Sequence, residues 1–422
     1  VSEAAEGAPT SSQDSYEAQR PVGATHAPEA IVVAAAGAIC MGFSFAPVFM
    51  GTFPLFLQPV SQTYHWSAAI FPQAMLIAGL VSALGGPLIG RAIDKAGVRT
   101  LLLPGLVVWA MTLAALPFIG GSVVLLYLVS AIMGVTTVTC GPVALAKIIT
   151  GWFDRRRGLA MSIVLGGGVA IFTAMMLGLT RVLISAIGWQ NAYLALAALV
   201  ILVALPVSYA FLKEAPHGRD AAMDGLPPPS ASIEPLVAFS SRTFWALVAG
   251  SSLVCASCSA IASHFLPLSA EHGISSGTAV FALSLYSLAG PIGSLIAGAA
   301  ADRLPNPRFL AIIFAAPLAG FLLMQITGAW AIVAGLALVG AGFSAVASLL
   351  PFLTSRYFGL ANASTIFAVA MGIVTLFLGV GPVVLGLVRD RWGAYAPASP
   401  IIVAVLIIGA ILPAILPRYP RH

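Results

Sequence analysis

Two ionisable residues stand inside long apolar runs, and any chemistry would begin with them. Arg181 lies in GLTRVLISA and His264 in CSAIASHFLPL. An ionisable side chain within lipid costs about 2.5–3.5 kcal/mol on insertion scales, so its presence marks a candidate site. His264 titrates near neutral pH and is a candidate to carry a proton or to hydrogen-bond a carboxylate. Its plainer alternative is a neutral imidazole bonded to a backbone carbonyl. Arg181 offers a fixed fork of donors to an anion. Its alternative is snorkelling to the lipid headgroups, which also accounts for Lys147 near a run end. None of the 14 acidic residues falls deep in an apolar run. A second tier of candidates is small, polar or aromatic: Phe45, Phe49, Gln58, Gln73, Thr139, Ser257, Tyr286, Ser344 and Ser348. Together they would line a cavity more apolar than charged, although helix packing accounts for any one alone.

None of this makes an enzyme. There is no nucleophile with its base, no nucleotide loop and no metal cluster, so neither cofactor nor metal is expected. Cys255 and Cys258 form C-x-x-C, but within an apolar run, where thiolate and solvent access are missing. Gly166-Gly167-Gly168 has no Lys-Ser/Thr follow-up and reads as close helix packing rather than a phosphate cradle.

The elements that position these residues follow from composition. The chain is 59% hydrophobic and 8% charged, against roughly 25% charged for soluble domains. So few charges cannot cover a water-exposed surface, and lipid must be the main solvent. Backbone groups have no water partner in hydrocarbon, and runs of about 20 apolar residues therefore span as helices. The expected class is an all-α membrane protein with twelve transmembrane helices. The first six cover 30–212, as 30–59, 67–90, 100–119, 122–149, 158–186 and 190–212. A polar, Pro-rich linker occupies 213–240. The second six cover 241–417, as 241–269, 275–301, 309–327, 329–353, 361–388 and 397–417. Residues 1–29 form a disordered tail, not a signal peptide, and 418–422 a short end. With tail, linker and end in the cytoplasm, all but Arg181, Arg389 and Arg391 of the 19 basic residues lie on the cytoplasmic side, as the positive-inside bias requires. Net charge +5 is a topological signature here, not a nucleic-acid one.

Between the second and third runs sits GPLIGRAIDKAGVR, Gly86 to Arg99. Gly90, Asp94, Lys95, Gly97 and Arg99, with Arg91, fit G-x-x-x-D-[RK]-x-G-x-[RK]. A degraded copy closes span 8, with Gly293, Ala301, Asp302, Arg303 and Arg308. Other turns repeat between halves: Trp152 to Ala160 against Arg356 to Asn362, and Gly188 to Tyr193 against Arg391 to Tyr395. The signature resembles the loop between helices 2 and 3 of the major facilitator superfamily of secondary transporters. That resemblance implies two six-helix bundles repeated in parallel, with substrate at the midplane and alternating access. It also implies that Asp94 and Arg91 make interdomain contacts near the start of span 11, with Asp302 and Arg303 as the second copy. Arg155, Arg156 and Arg157 read as topology anchors.

Within the superfamily the chain is similar to the monocarboxylate transporters and their bacterial relatives. The similar stretches are PLFLQPVSQTYHWSAA, GWFDRRRGLAMSI and GPVVLGLVRDRWGAY. The Asp and Arg that this family places in span 8 have no counterpart before Asp302. The resemblance implies proton-coupled transport of a small organic monocarboxylate by a monomer of the bacterial inner membrane, both termini cytoplasmic. The alternatives are efflux of an apolar or neutral compound and, from another class, a non-transporting membrane sensor. The partners expected are the organic anion, protons and the lipid bilayer.

Overall fold

A computed structural model describes residues 27–153, 162–214, 234–303, 308–326, 328–358 and 363–417. Every regular element among the described residues is helical, as backbone satisfaction in lipid demands. Span 1 is α1 (Ala27–Gly42), a π-helical turn (Ala46–Met50) and α2 (Phe53–Tyr64). Next come α3 (Gln73–Ala96), α4 (Val98–Ala115) and span 4, divided into α5 (Val123–Thr139) and α6 (Pro142–Trp152). A second π segment, Ser162–Gly168, leads into α7 (Val169–Leu199), and a third, Val200–Ala204, leads into α8 (Leu205–Phe211). Beyond the linker lie α9 (Pro235–Phe239), α10 (Arg242–Ser263), α11 (Phe265–Glu271), α12 (Ser276–Arg303) and α13 (Phe309–Met324). The last three are α14 (Ala329–Phe358), α15 (Ala363–Trp392) and α16 (Ser399–Ala414).

Nine helices are long and apolar enough to cross a membrane among the described residues. One of them, Ile163–Phe211, runs 49 residues and contains Gly188 at φ 80°, ψ 164°. Only glycine takes that conformation freely, so spans 5 and 6 meet there in a turn without a gap in helix assignment. Two shorter apolar helices, Gln73–Gly86 and Phe309–Met324, fall where spans 2 and 9 were expected. Each of the twelve expected runs is largely helical among its described residues.

The two ends of the bundle are named here by the chain: the tail end carries the start of α1, and the far end carries the α2–α3 and α15–α16 turns. Exposed amphipathic aromatics mark both levels, Trp330 and Trp392 at the far end and Tyr209 and Trp245 at the tail end. Amphipathic rings settle at headgroup depth in this way.

The buried side chains form two hydrophobic cores. One is built from residues 30–212; the other runs from 238 to 416 and takes in Leu55 and Leu177 of the first half. The halves meet along α3 against α15 and α7 against α12. In lipid, such contacts depend on small residues that let backbones approach. A methyl group built at Gly386 would lie 2.6 Å from the Ala68 carbonyl oxygen, and one at Gly379 would strike Leu76 Cα.

A candidate binding cavity between the two halves

A cavity of about 890 Å³ lies between the two cores, within the 300–1,000 Å³ range of small-molecule sites. The first half contributes Met50, Pro54, Leu165, Gly166, Val169 and Thr173 from spans 1 and 5. The second contributes Ser259, Ser263, Tyr286, Phe343, Ser344 and Ser348 from spans 7, 8 and 10. Among the described residues no charged side chain lines it.

Local sequence explains how each wall is made. Two of the three π segments line the first-half wall: Ala46 and Met50 from one, Ile163, Leu165, Gly166 and Gly167 from the other. At the first, Pro47 has no N–H, and the Gly51 N–H reaches back five residues to the Ala46 carbonyl at 2.8 Å. Such π turns loosen the backbone and recur at functional sites. A methyl group at Gly166 would meet nothing within 4 Å. The close packing expected of the glycine triplet holds for Gly168, where an added methyl group would lie 3.3 Å from Ala38 Cβ, but not for Gly166, which borders open space in the cavity wall.

On the second-half side, prolines inside helices free carbonyls, because each lacks the N–H its neighbour four residues back needs. Pro382 leaves the Leu378 carbonyl without that donor, and the Ser259 hydroxyl supplies one at 2.8 Å. Pro291 and Pro351 do the same to Ser287 and Ala347, and all four residues line the cavity.

Of the residues singled out from sequence, Tyr286, Ser344 and Ser348 line the cavity. Phe45 borders a separate 50 Å³ void between α3, α5 and α15, together with Met75, Thr137 and Thr375. Phe49 is buried in an aromatic cluster with Phe45, Phe53 and Phe71. Gln73 accepts a hydrogen bond from Tyr127. Gln58 is exposed. Thr139 bonds the Thr136 carbonyl at 3.3 Å, and Ser257 the Leu253 carbonyl at 3.0 Å.

The two ionisable candidates lie apart from the cavity. His264 is fully buried at the α10–α11 junction. Its Nε2 donates to the Pro382 carbonyl at 3.0 Å, and its Nδ1 accepts from the Tyr395 hydroxyl at 2.9 Å. The carbonyl is an acceptor only, so Nε2 is the donor, and in the neutral imidazole Nδ1 is then the acceptor, with both nitrogens satisfied. Tyr395 lies in the turn between spans, where burial pushes its phenol above the usual pKa and keeps the O–H a donor. Arg181 is exposed, its guanidinium 3.2 Å from the space beside Gly277 at the start of α12. Lys147 Nζ reaches the Ile93 carbonyl at 3.5 Å, near the end of α3.

At the far end an unforeseen residue joins the halves. The Asp390 carboxylate accepts from the Ala68 N–H at 2.7 Å and the Ala69 N–H at 3.1 Å. Neighbouring Arg389 pairs with Glu271 at 3.6 Å and lies over the Tyr395 ring. Glu271 also accepts from the Tyr395 N–H at 3.2 Å. Its sequence signal was an acid beside two basic residues in a turn, which does not reveal a backbone partner.

At the tail end, Arg99 of the loop signature is tied within its own half. Its N–H donates to Glu214 at 3.2 Å, and its guanidinium bonds the Tyr209 carbonyl and covers the Tyr209 ring. Gly97, at φ 85°, leaves room for the Glu214 carboxylate. Arg91, Lys95 and Arg303 are exposed. The side chains of Asp94 and Asp302, and residues 154–161 with the arginine triplet, lie outside the described residues.

Two helical bundles with separate cores, enclosing a solute-sized cavity between them, are the architecture of a membrane transporter. The sequence profile of the Major Facilitator Superfamily matches residues 34–382, and the chain belongs to that family. It is 24% identical over 175 residues to the uncharacterised MFS-type transporter YcxA of Bacillus subtilis (strain 168), an alignment covering 40% of this chain and 42% of that relative. A crystal structure of a bacterial homologue of the human lysosomal transporter Spinster, inward-facing and unoccupied, superposes with a TM-score of 0.66 at 18% identity. It covers 92% of this chain and 94% of that one, which establishes the shared fold.

Proposed function

We propose that this transporter carries a small, largely apolar organic acid together with a proton, as a net-neutral load. One observation carries the reading: the cavity between the halves has no charged lining among the described residues. A bare carboxylate would lose its hydration there without gaining a fixed cation, at a cost of several kcal/mol. A monocarboxylate that moves with its proton avoids that cost. This joins the turns that resemble the monocarboxylate transporters to the absence of charge in span 8.

The tail end is cytoplasmic in this reading, since the basic residues cluster there. The far end is closed by Asp390 and the α3–α15 contact, which fits the inward-facing state of the Spinster homologue. The 30–212 and 241–417 segments act as the two rocking bundles, and the chain works as a monomer in a bacterial inner membrane. The same uncharged cavity favours a second reading, efflux of a neutral apolar compound.

Proteoliposome flux separates the two. Labelled benzoate should accumulate above the level of protein-free liposomes with an inward proton gradient and not without it. Absence of acid uptake alongside protein-dependent movement of a neutral compound would establish the second reading.

A further inference from the structure

The cavity is lopsided, and the asymmetry specifies how a solute would sit. The first-half wall is apolar: Met50, Pro54, Leu165, Val169 and the open position at Gly166. The second-half wall carries the polar groups, but most are already engaged. Ser259 is bonded to Leu378, Ser348 to Ala345, and Ser294 to Ser344 through its carbonyl. Two hydroxyls remain without a protein partner among the described residues, those of Tyr286 and Ser344.

Both are held by close helix contact. A methyl group at Gly340 would strike the Tyr286 backbone, and one at Gly290 would strike Ser344 Oγ. Glycine at these two positions lets α12 and α14 pack backbone to backbone, which fixes Tyr286 and Ser344 across one seam. The Tyr286 ring stacks on Phe343 at 6.2 Å between centroids and 24° between planes. A flat apolar surface with a phenol at its edge therefore lines the same cavity as the open position at Gly166. Acceptors are near as well, since Ser287 and Ala347 carry carbonyls freed by Pro291 and Pro351.

We propose that Tyr286 anchors the solute, its hydroxyl donating to a carboxyl or carbonyl oxygen of an aromatic or similarly flat compound that lies along the Tyr286–Phe343 pair. Ser344 is the second donor. The freed carbonyls take the proton of a neutral carboxylic acid or the N–H of an amide. Gly166 sets the room for the ring on the opposite wall. The assignment rests on the reading of the cavity as the transport site, and it selects aromatic over short aliphatic solutes.

The test is direct binding to the purified full chain in nanodiscs, with benzoate, benzamide and acetate as probes, for the unaltered protein, Tyr286→Phe and Gly166→Leu. Tyr286→Phe keeps the ring and its stacking, so folding is not at issue. The assignment predicts that benzoate and benzamide bind at least tenfold more tightly than acetate. Tyr286→Phe should weaken both aromatic probes about fivefold to tenfold, the size of one hydrogen bond. Gly166→Leu should abolish aromatic binding with little change in thermal stability, because its Cβ meets nothing within 4 Å and the rest of the side chain extends from the cavity wall. Unchanged aromatic affinity in Tyr286→Phe would overturn the anchor, and so would failure of both aromatic probes to bind. Benzamide binding that depends on Tyr286, with no benzoate binding, would uphold the anchor while refuting carriage of acids.

Discussion

Truncating His264 would strand two buried groups at once, the Pro382 carbonyl and the Tyr395 hydroxyl. Each orphan costs about 1–3 kcal/mol. His264→Ala should therefore lower the thermal stability of the detergent-purified protein by several degrees while leaving the pH profile of uptake in place. Loss of pH dependence with stability intact would instead make His264 the proton carrier. Arg181, exposed and away from the cavity, should tolerate Gln with an apparent substrate constant within about twofold, as surface charges usually do; a large rise would put it on the solute path. These two residues show what sequence conveys at this scale. An ionisable group in an apolar run is easily seen, but whether it faces a cavity or a neighbouring helix depends on partners far away in sequence. His264 is satisfied from 118 and 131 residues downstream. Tyr286, Ser344 and Ser348 were visible as polar groups in lipid-spanning runs. Gly166, Met50 and Pro54 were not, because nothing in an apolar residue tells which face it turns to.

At the scale of elements, the far end is held by a carboxylate of one half on the backbone N–H groups that lead into α3 of the other. Hydrogen bonds to a charged group contribute about 1.5–3 kcal/mol. Asp390→Ala should open this end more often and raise the alkylation rate of a cysteine introduced at Ala69, which is buried in the closed end, by at least tenfold. An unchanged rate would mean that the α3–α15 packing alone keeps it shut. Gly379→Val should act through that packing: the branched side chain cannot fit against Leu76, and uptake should fall more than tenfold with the same gain in alkylation. Glu214→Ala should loosen the start of α4, where the carboxylate receives the Arg99 N–H, by about 1 kcal/mol in unfolding experiments, like the loss of a helix cap. The helices themselves were legible from the sequence, since lipid leaves the backbone no alternative. Their breaks at the π segments were less so: Pro47 announces one and Pro206 follows another, Val200–Ala204, but a proline alone does not say that the ladder loosens to a π turn. The Asp390 contact joins positions more than 320 residues apart and has no local signature.

For the whole molecule, the central claim is that an uncharged cavity between two bundles moves its load without net charge. The family says that a solute is carried, and the proposed form of the load rests on the absence of charged lining among the described residues. The measurement that tests this most directly is benzoate uptake into proteoliposomes under three conditions: an inward proton gradient, a membrane potential of either sign at equal pH, and neither. The account predicts concentrative uptake above that of protein-free liposomes, driven by the proton gradient, with no drive from the potential. Uptake driven by the potential at equal pH would show that charge crosses the cavity and would contradict it.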